Sequence, residues 1–136
     1  MYEFGEASLR NLEGVHPTLV VIVKHALKSS KVDFSVVEGV RTLERQEKLV
    51  RSGKSWTTDS YHIARPVIYY GHPREYGLAV DIYPWAGGET DNNPESYKRV
   101  ARAMFVASQK LGVRVEWGGF FSGHKEDKPH WQLVLS

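Results

Sequence analysis

The residues of this chain best suited to chemistry are its histidines and aspartates, because none of the 136 residues is cysteine. Without thiolates, any metal ion must be held by imidazole nitrogens and carboxylate oxygens. His16 precedes a predicted helix and His25 lies inside one, so neither is expected to act as a ligand. The four remaining histidines are His62, His72, His124 and His130.

Two parts of the chain place histidine and aspartate in a pattern that suits a metal site. His62 lies in a long polar loop, and Asp81 follows on a short apolar segment. Asp127 precedes His130 by three residues, and Pro129 keeps the approach to His130 extended. Two histidines and a carboxylate that leave the fourth position of a zinc ion open are typical of a catalytic zinc site. A further acid beside such a site transfers protons to and from the reacting groups. Spacing alone leaves ordinary alternatives open, namely a strand-end acid at Asp81 and a surface turn at 127–130.

Hydrophobic periodicity and capping signals predict the elements that must position these residues. Apolar residues at helical spacing after Pro17 predict one helix, and Thr42 and Asn93 suit the N-caps of two more. The predicted helices are 17–29, 43–51 and 94–111, the predicted strands are 33–40, 78–83, 113–117 and 131–135, and residues 52–76 form a long loop. Because helices and strands are mixed without regular βαβ alternation, we predict an α+β fold.

The composition is that of one ordinary globular domain spanning residues 1–136, with 41% hydrophobic and 25% charged residues. The net charge of +2 is spread over interleaved acids and bases, which argues against nucleic-acid binding. The first residues lack the basic and apolar stretches of a signal peptide, and the apolar run 19–23 is too short to span a bilayer. We therefore expect a soluble protein, made in a cytoplasm, that does not insert stably into a membrane.

Three short motifs together resemble those of a known group of enzymes. Ser-x-His at 60–62, Gly-x-Ala-x-Asp at 77–81 and Asp-x-x-His-x-x-Leu at 127–133 are similar to the motifs of the LAS group, which includes D-Ala-D-Ala carboxypeptidases, VanY-type enzymes and the hedgehog fold. The closest resemblance is to phage endolysins that cleave peptidoglycan between L-Ala and D-Glu. It covers nearly the whole chain, including segments 4–12, 16–19 and 34–46. It implies a small antiparallel sheet flanked by helices, with one zinc ion on the sheet.

Carried over by position, this resemblance implies a role for each motif residue. The residues that match the zinc ligands are His62, Asp81 and His130. Asp127 matches the general base and acid of the reaction. Arg41 matches a basic residue that holds the substrate or the developing oxyanion. Ser60 matches a serine that supports the first histidine, and Gln46 matches a position that contacts substrate or orients its neighbours.

An insertion at residues 63–76 separates the first histidine from the glycine motif, unlike in the enzymes that the chain resembles. The insertion is aromatic and basic, which suits a hairpin at the rim of a cleft that touches glycan or stem peptide. The alternative is an elaborated loop without substrate contact. The candidate rim contacts are Arg65, Tyr69 and Arg74. His72, also in the insertion, is the alternative to His62 as the first ligand.

Three residues near the final histidine leave further alternatives open. His124 and Glu126 lie close to Asp127 in sequence, so either is a rival base or a neighbour of the metal. Gln132 stands where many relatives carry glutamate, and we interpret it as a supporting residue that need not titrate.

The resemblance implies a phage endolysin, a zinc-dependent endopeptidase that cleaves the L-Ala–D-Glu bond of peptidoglycan stem peptides and so lyses the host. We expect a monomer without a separate wall-binding domain, released from the host cytoplasm through a holin to reach the periplasmic wall. One alternative is a D,D- or L,D-carboxypeptidase, in which Arg65 or Arg74 would grip a terminal carboxylate. Another is a non-catalytic wall-binding module of the same fold.

Overall fold

The computed structural model describes residues 2–135 and shows an antiparallel sheet with helices packed against it. The helices are α1 (Glu6–Asn11), α2 (Pro17–Ser29), α3 (Leu43–Arg51) and α4 (Pro94–Leu111). The strands are β1 (Asp33–Glu38), β2 (Arg65–Tyr69), β3 (His72–Tyr76), β4 (Ala79–Ala86), β5 (Glu89–Thr90), β6 (Arg114–Trp117) and β7 (His130–Val134). The strands pair in the order β1-β4-β7-β6, with β5 pairing with β4, and β2 and β3 form a separate hairpin. The predicted α+β class and antiparallel sheet are confirmed.

The three longer helices begin where the capping signals place them. Thr42 accepts a hydrogen bond from the backbone of Arg45 at the start of α3, and Asn93 caps α4 in the same way through Glu95. At the start of α2 the cap is His16, whose Nδ1 accepts from Thr18 N at 3.1 Å. That contact assigns His16 a structural role, and it satisfies a backbone donor that the first helical turn cannot.

Period-two alternation along the strands separates the core from the site. Val80 and Ile82 of β4 are buried under the helices, whereas Asp81 and Tyr83 project from the opposite face. The core is filled by residues of α2, α4 and the sheet, among them Leu19, Ile22, Val23, Phe34, Met104, Trp131 and Leu133. Helices α2 and α4 thus support one face of the sheet, and the other face carries the polar side chains.

Register then brings the polar residues of neighbouring strands together. Asp81 lies opposite His130 of β7 on one side and opposite Glu38 of β1 on the other. Gln132 lies opposite Glu116 of β6. Because antiparallel partners that face the same way are close in space, the exposed face carries a compact polar cluster at the centre of the sheet.

Several features differ from the sequence-based predictions. Helix α1 was not predicted, because six residues give less than two turns of periodicity and its N-cap, Gly5, has no side chain to reveal it. Within the predicted long loop, residues 65–69 and 72–76 form the two strands of a hairpin, which was one of the two interpretations of the insertion. Strand β1 also ends at Glu38, two residues early, after a register shift between Val36 and Glu38.

Within residues 2–135, none of the helices combines the length and hydrophobicity needed to cross a membrane.

Candidate metal centre

Three side chains from different parts of the chain converge above the sheet. His62 Nε2 lies 3.1 Å from Asp81 Oδ1, and His130 Nδ1 lies 3.5 Å from the same oxygen. One ligand atom from each residue falls within 4.8 Å of the others. His62 is brought there by the loop before the hairpin, whereas Asp81 and His130 are paired across β4 and β7. This group could hold a metal ion.

The outer nitrogen of each imidazole is already committed to a hydrogen bond. His62 Nδ1 lies 2.8 Å from the carbonyl oxygen of Gly39, which can only accept, so Nδ1 carries the hydrogen. His130 Nε2 lies 2.8 Å from Gln132 Oε1, and the amide of Gln132 is oriented by its donation to Glu116 Oε1 at 3.0 Å. Both inner nitrogens therefore present lone pairs to Asp81 when the rings are neutral.

Lone pairs on two imidazoles and a carboxylate repel one another unless positive charge lies between them. The pKa values of Asp81 and His130 also show that positive charge is favoured between these groups. Burial alone would raise the pKa of Asp81, but hydrogen bonds from His130 and His62 outweigh it and hold that pKa below its usual value. Burial would lower the pKa of His130, yet the bond to Asp81 and its charge raise it. The three ligand atoms and the outer hydrogen bonds that orient them therefore suit a bound cation. A metal ion and protons would compete for the same ligand atoms.

Asp127 lines the same cleft but stands apart from the three converging residues. Its backbone is fixed by two hydrogen bonds, from Asp127 N to Gly118 O at 2.9 Å and from His130 N to Asp127 O at 3.1 Å. Burial raises the pKa of the Asp127 carboxyl above its usual value, and the negative charge of Asp81 raises it further. A carboxylate whose pKa is raised is a stronger base, and its protonated form is populated more at a given pH, which suits a group that accepts a proton and later returns it.

Arg41 is held at the wall of the site by a buried network. Its Nε lies 2.8 Å from Glu38 Oε1, its Nη1 donates to Gln46 Oε1 at 2.7 Å, and its Nη2 lies 3.5 Å from Asp81 Oδ2. The Gln46 amide is fully buried and donates to Ser55 Oγ at 2.8 Å. Gln46 is thus placed to orient Arg41 and has no free polar atom for substrate.

Ser60 is buried beside the first histidine. Its hydroxyl oxygen accepts a hydrogen bond from His62 N at 3.1 Å, and its carbonyl accepts from Arg65 Nη2 at 2.7 Å. The hydrogen bond to His62 N stabilises the loop that positions the imidazole. Ser60 is also among the residues that line the cleft.

A cleft of about 850 Å³ opens over this centre, between two polypeptide rims. One rim is the loop that follows α3 and includes Trp56. The other is formed by two short 3-10 helices, Gly118–Phe120 and Gly123–Lys125, and the residues after them. Cleft-lining residues that the sequence did not single out include Trp56, Tyr83, Glu116, Phe120, Phe121 and Lys125. The alternation of β4 could have revealed Tyr83, two residues after Asp81, whereas the rim residues carry no such signal.

The other candidate residues fall at different distances from this centre. Arg65, Tyr69 and Arg74 all lie on the β2–β3 hairpin, and none of them is among the residues that line the cleft. Tyr69 instead packs edge-on against His16, with ring centroids 5.3 Å apart. His72 lies exposed on the same hairpin, away from the metal-binding group. The rivals of Asp127, His124 and Glu126, do line the cleft.

Comparison with known proteins points to one family. Residues 1–132 match the model of the family described as phage L-alanyl-D-glutamate peptidase. The chain is 30% identical over 121 residues to the L-alanyl-D-glutamate peptidase of Escherichia phage T5, covering 86% of this chain and 80% of that protein. It is 32% identical over 106 residues to the peptidase of the same name from Listeria phage A118, covering 78% of this chain and 32% of that longer protein.

The fold is similar to that of a solved enzyme. The crystal structure of the Serratia marcescens L-Ala D-Glu endopeptidase ChiX matches this chain with a TM-score of 0.81 and 36% sequence identity. The match covers 97% of this chain and 90% of the Serratia protein.

Proposed function

Because the chain belongs to the phage L-alanyl-D-glutamate peptidase family, we propose that it is a zinc-dependent endolysin that hydrolyses the L-Ala–D-Glu bond of peptidoglycan stem peptides. The observation that carries the metal dependence is the convergence of His62, Asp81 and His130, with both outer imidazole nitrogens already committed. Two imidazoles and a carboxylate are ligands that suit zinc, and three protein ligands leave a position open for chemistry.

The proposed reaction divides the work between the metal centre and the acid beside it. A zinc ion held by His62, Asp81 and His130 would supply Lewis-acid polarisation of the scissile carbonyl and acidification of a water molecule. Asp127 removes a proton from the attacking water and returns it to the amine of the leaving glutamate. The raised pKa of Asp127 suits both halves of that transfer, because the group must gain and lose a proton within one turnover.

Arg41 contributes fixed positive charge next to this reaction. Glu38 and Gln46 hold the guanidinium in place, and its Nη2 faces the Asp81 carboxylate at 3.5 Å. A preorganised cation stabilises negative charge that develops on the carbonyl oxygen without the cost of reorientation. Its second effect is to fix the orientation of Asp81 toward the two imidazoles.

The proposed substrate, peptidoglycan, lies outside the host cytoplasm, so the proposal includes a route to it. One catalytic domain, residues 1–136 with the hairpin insertion, acts as a monomer on the host peptidoglycan. Made in the host cytoplasm, it would reach the periplasmic wall after release through a holin. The hairpin residues Arg65, Tyr69 and Arg74 are proposed to meet glycan or peptide outside the cleft, since the hairpin also exposes Ile68 on β2 and Tyr70 in its turn.

A digest of purified Gram-negative peptidoglycan, with products identified by mass spectrometry, tests this proposal. The protein is assayed as purified, after metal removal and after zinc is returned. We expect new N-terminal D-Glu that disappears on metal removal and returns with zinc. Loss of a terminal D-Ala alone would instead indicate a carboxypeptidase. Absence of cleavage by folded, zinc-loaded protein would contradict the enzyme assignment for this substrate.

A further inference from the structure

Four cationic side chains line the cleft, and they differ in what they contact. Arg41 and Arg45 both bind Glu38, each with a nitrogen 2.8 Å from Glu38 Oε1. Among the ion pairs of residues 2–135, neither Lys54 nor Lys125 has a carboxylate within 4.0 Å. Unlike the two arginines, whose charge is paired with Glu38, these two lysines can therefore pair with a carboxylate of a bound ligand.

The substrate of the proposed function, on which this inference rests, brings such an anion. A glutamyl residue has two carboxyl groups, and only one of them can form the amide bond that continues the peptide. The other remains as a carboxylate unless it has been amidated. That carboxylate belongs to the residue whose nitrogen becomes the leaving amine, so it lies on the leaving-group side of the scissile bond.

Lys125 belongs to the same rim segment as Asp127. It ends the second 3-10 helix two residues before Asp127, the group proposed to protonate the leaving amine. The segment from Lys125 to His130 therefore carries both the acid and a cation without a carboxylate partner. Lys54 belongs to the opposite rim, on the loop that follows α3.

Trp56 presents the Lys125 ammonium group to the cleft. Lys125 Nζ lies 4.6 Å from the centroid of the Trp56 ring, so the contact joins the two rims. A cation over an aromatic face is attracted by the ring, yet it keeps its hydrogen-bond donors for another ligand. Restricting a long side chain in advance also reduces the entropy lost when it binds substrate.

We propose that Lys125, positioned by Trp56, is a specificity-determining residue that binds the free carboxylate of the D-Glu residue in the substrate. The enzyme would then distinguish stem peptides that carry a D-Glu carboxylate from those in which this group is a carboxamide. One charge-assisted hydrogen bond corresponds to a preference of about tenfold in kcat/KM.

Two peptides test this assignment. Both contain N-acetyl-L-Ala–D-Glu and continue through the γ-carboxyl, but one has a free α-carboxylate and the other an α-carboxamide. The zinc-loaded wild type is compared with Lys125→Met, Lys125→Arg, Trp56→Phe and the matched control Lys54→Met. We expect the wild type to favour the carboxylate about tenfold and Lys125→Met to reduce that ratio to about one. Lys125→Arg, Trp56→Phe and Lys54→Met should largely keep the preference, because each retains the cation or its aromatic support.

The ratio of the two kcat/KM values separates recognition from a structural role, because a general loss of activity lowers both values and leaves the ratio unchanged. A Lys125→Met protein that keeps the wild-type ratio would overturn the assignment, and loss of the preference in Lys54→Met would move it to the other rim. Equal cleavage of both peptides by the wild type would overturn it while the proposed function stands. Cleavage of neither peptide by the zinc-loaded wild type would contradict the proposed function and this inference with it.

Discussion

At the scale of single residues, the site is organised by hydrogen bonds that settle which nitrogen of each imidazole is free. Gly39 O fixes the His62 tautomer, and the Gln132 amide fixes that of His130. The two rings use opposite nitrogens, Nε2 and Nδ1, because they approach Asp81 from a loop and from a paired strand respectively. The glutamine at 132 can serve here because its role is to accept a hydrogen bond, which requires no charge.

Asp127→Asn should separate metal binding from catalysis. Because the amide cannot accept the proton of the attacking water, we expect kcat to fall by about 10²–10⁴-fold while one zinc ion still binds. Peptide cleavage and zinc calorimetry measure the two properties. Glu126→Gln is the matched control, since it neutralises the adjacent cleft carboxylate, and it should keep most of the activity. Loss of activity in Glu126→Gln with an active Asp127→Asn would reverse the two roles.

Glu38→Gln should change how stability depends on pH. Burial raises the pKa of Glu38, but hydrogen bonds and charge from Arg41 and Arg45 outweigh it and lower that pKa from 4.5 to about 2. A lowered pKa in the folded state adds stability that is fully present above pH 4.5 and is lost as the pH falls toward 2. We expect metal-free Glu38→Gln to be about 1–2 kcal/mol less stable than the wild type at pH 7.

Urea unfolding at pH 7 and pH 3, in the presence of a chelator, measures this difference. At pH 3 it should shrink to less than half of its value at pH 7. Glu44→Gln removes an exposed carboxylate that lies 3.5 Å from Lys48, so it should have little effect at either pH. A Glu38→Gln difference that stays constant between the two pH values would show that the ionised carboxylate is not its source.

At the scale of elements, strand pairing and two loops assemble the site, and they differ in how far sequence predicts them. Alternation in β4 and β7 predicts that Asp81 shares a face with Tyr83 and His130 with Gln132. The contact between His62 and Gly39 joins positions 23 residues apart through a loop, and no local pattern predicts it. For His62, therefore, the motif context supplied what periodicity could not.

The hairpin shows the same limit. Residues 65–76 alternate weakly and include two prolines, so the sequence indicated a long loop, with a hairpin as one interpretation of the insertion. The two strands are ordered by each other and by packing of Tyr69 and Tyr76 against His16, which lies about 50–60 residues earlier. Tertiary contacts of this kind decide the structure of a segment whose own propensity is weak.

Gly118→Ala should displace the loop that carries Asp127. A Cβ at position 118 would overlap the carbonyl oxygen of Asp127 and would come within 2.9 Å of the His130 Cβ. We expect kcat/KM to fall about 100-fold, since small misplacements of catalytic groups have effects of that size. Gly5→Ala is the control, because its Cβ would meet nothing within 4 Å. Wild-type activity in Gly118→Ala would show that the loop adapts without moving the acid.

At the scale of the whole molecule, helices α2 and α4 pack on one face of the sheet, and the cleft opens on the other face, where α3 contributes Arg45 and Leu49 to its lining. The packed face supplies a rigid base of buried side chains from α2, α4 and the strands. The open face holds three residues that could bind a metal ion, and two rims complete the cleft. In many enzymes a rigid sheet holds the catalytic groups in place, while the loops that contact the substrate vary in length and sequence.

The sequence predicted the overall fold more fully than the shape of the cleft. Helix caps and alternation depend on neighbours within a few residues, so they can be recognised in a single chain. The rim contact between Trp56 and Lys125 spans 69 positions and depends on how two loops meet. Neither residue carries a local signal of its role, which explains why both were found only in the folded molecule.

The central claim is that one zinc ion held by His62, Asp81 and His130 is required for cleavage of the L-Ala–D-Glu bond. Its most direct test is a zinc titration of the metal-free protein, with release of N-terminal D-Glu from a defined peptide measured at each point. We expect activity to rise linearly to a break at about one zinc ion per chain, as a single three-ligand site requires. Full activity in the thoroughly metal-free protein, or no recovery after one equivalent has bound, would contradict the account.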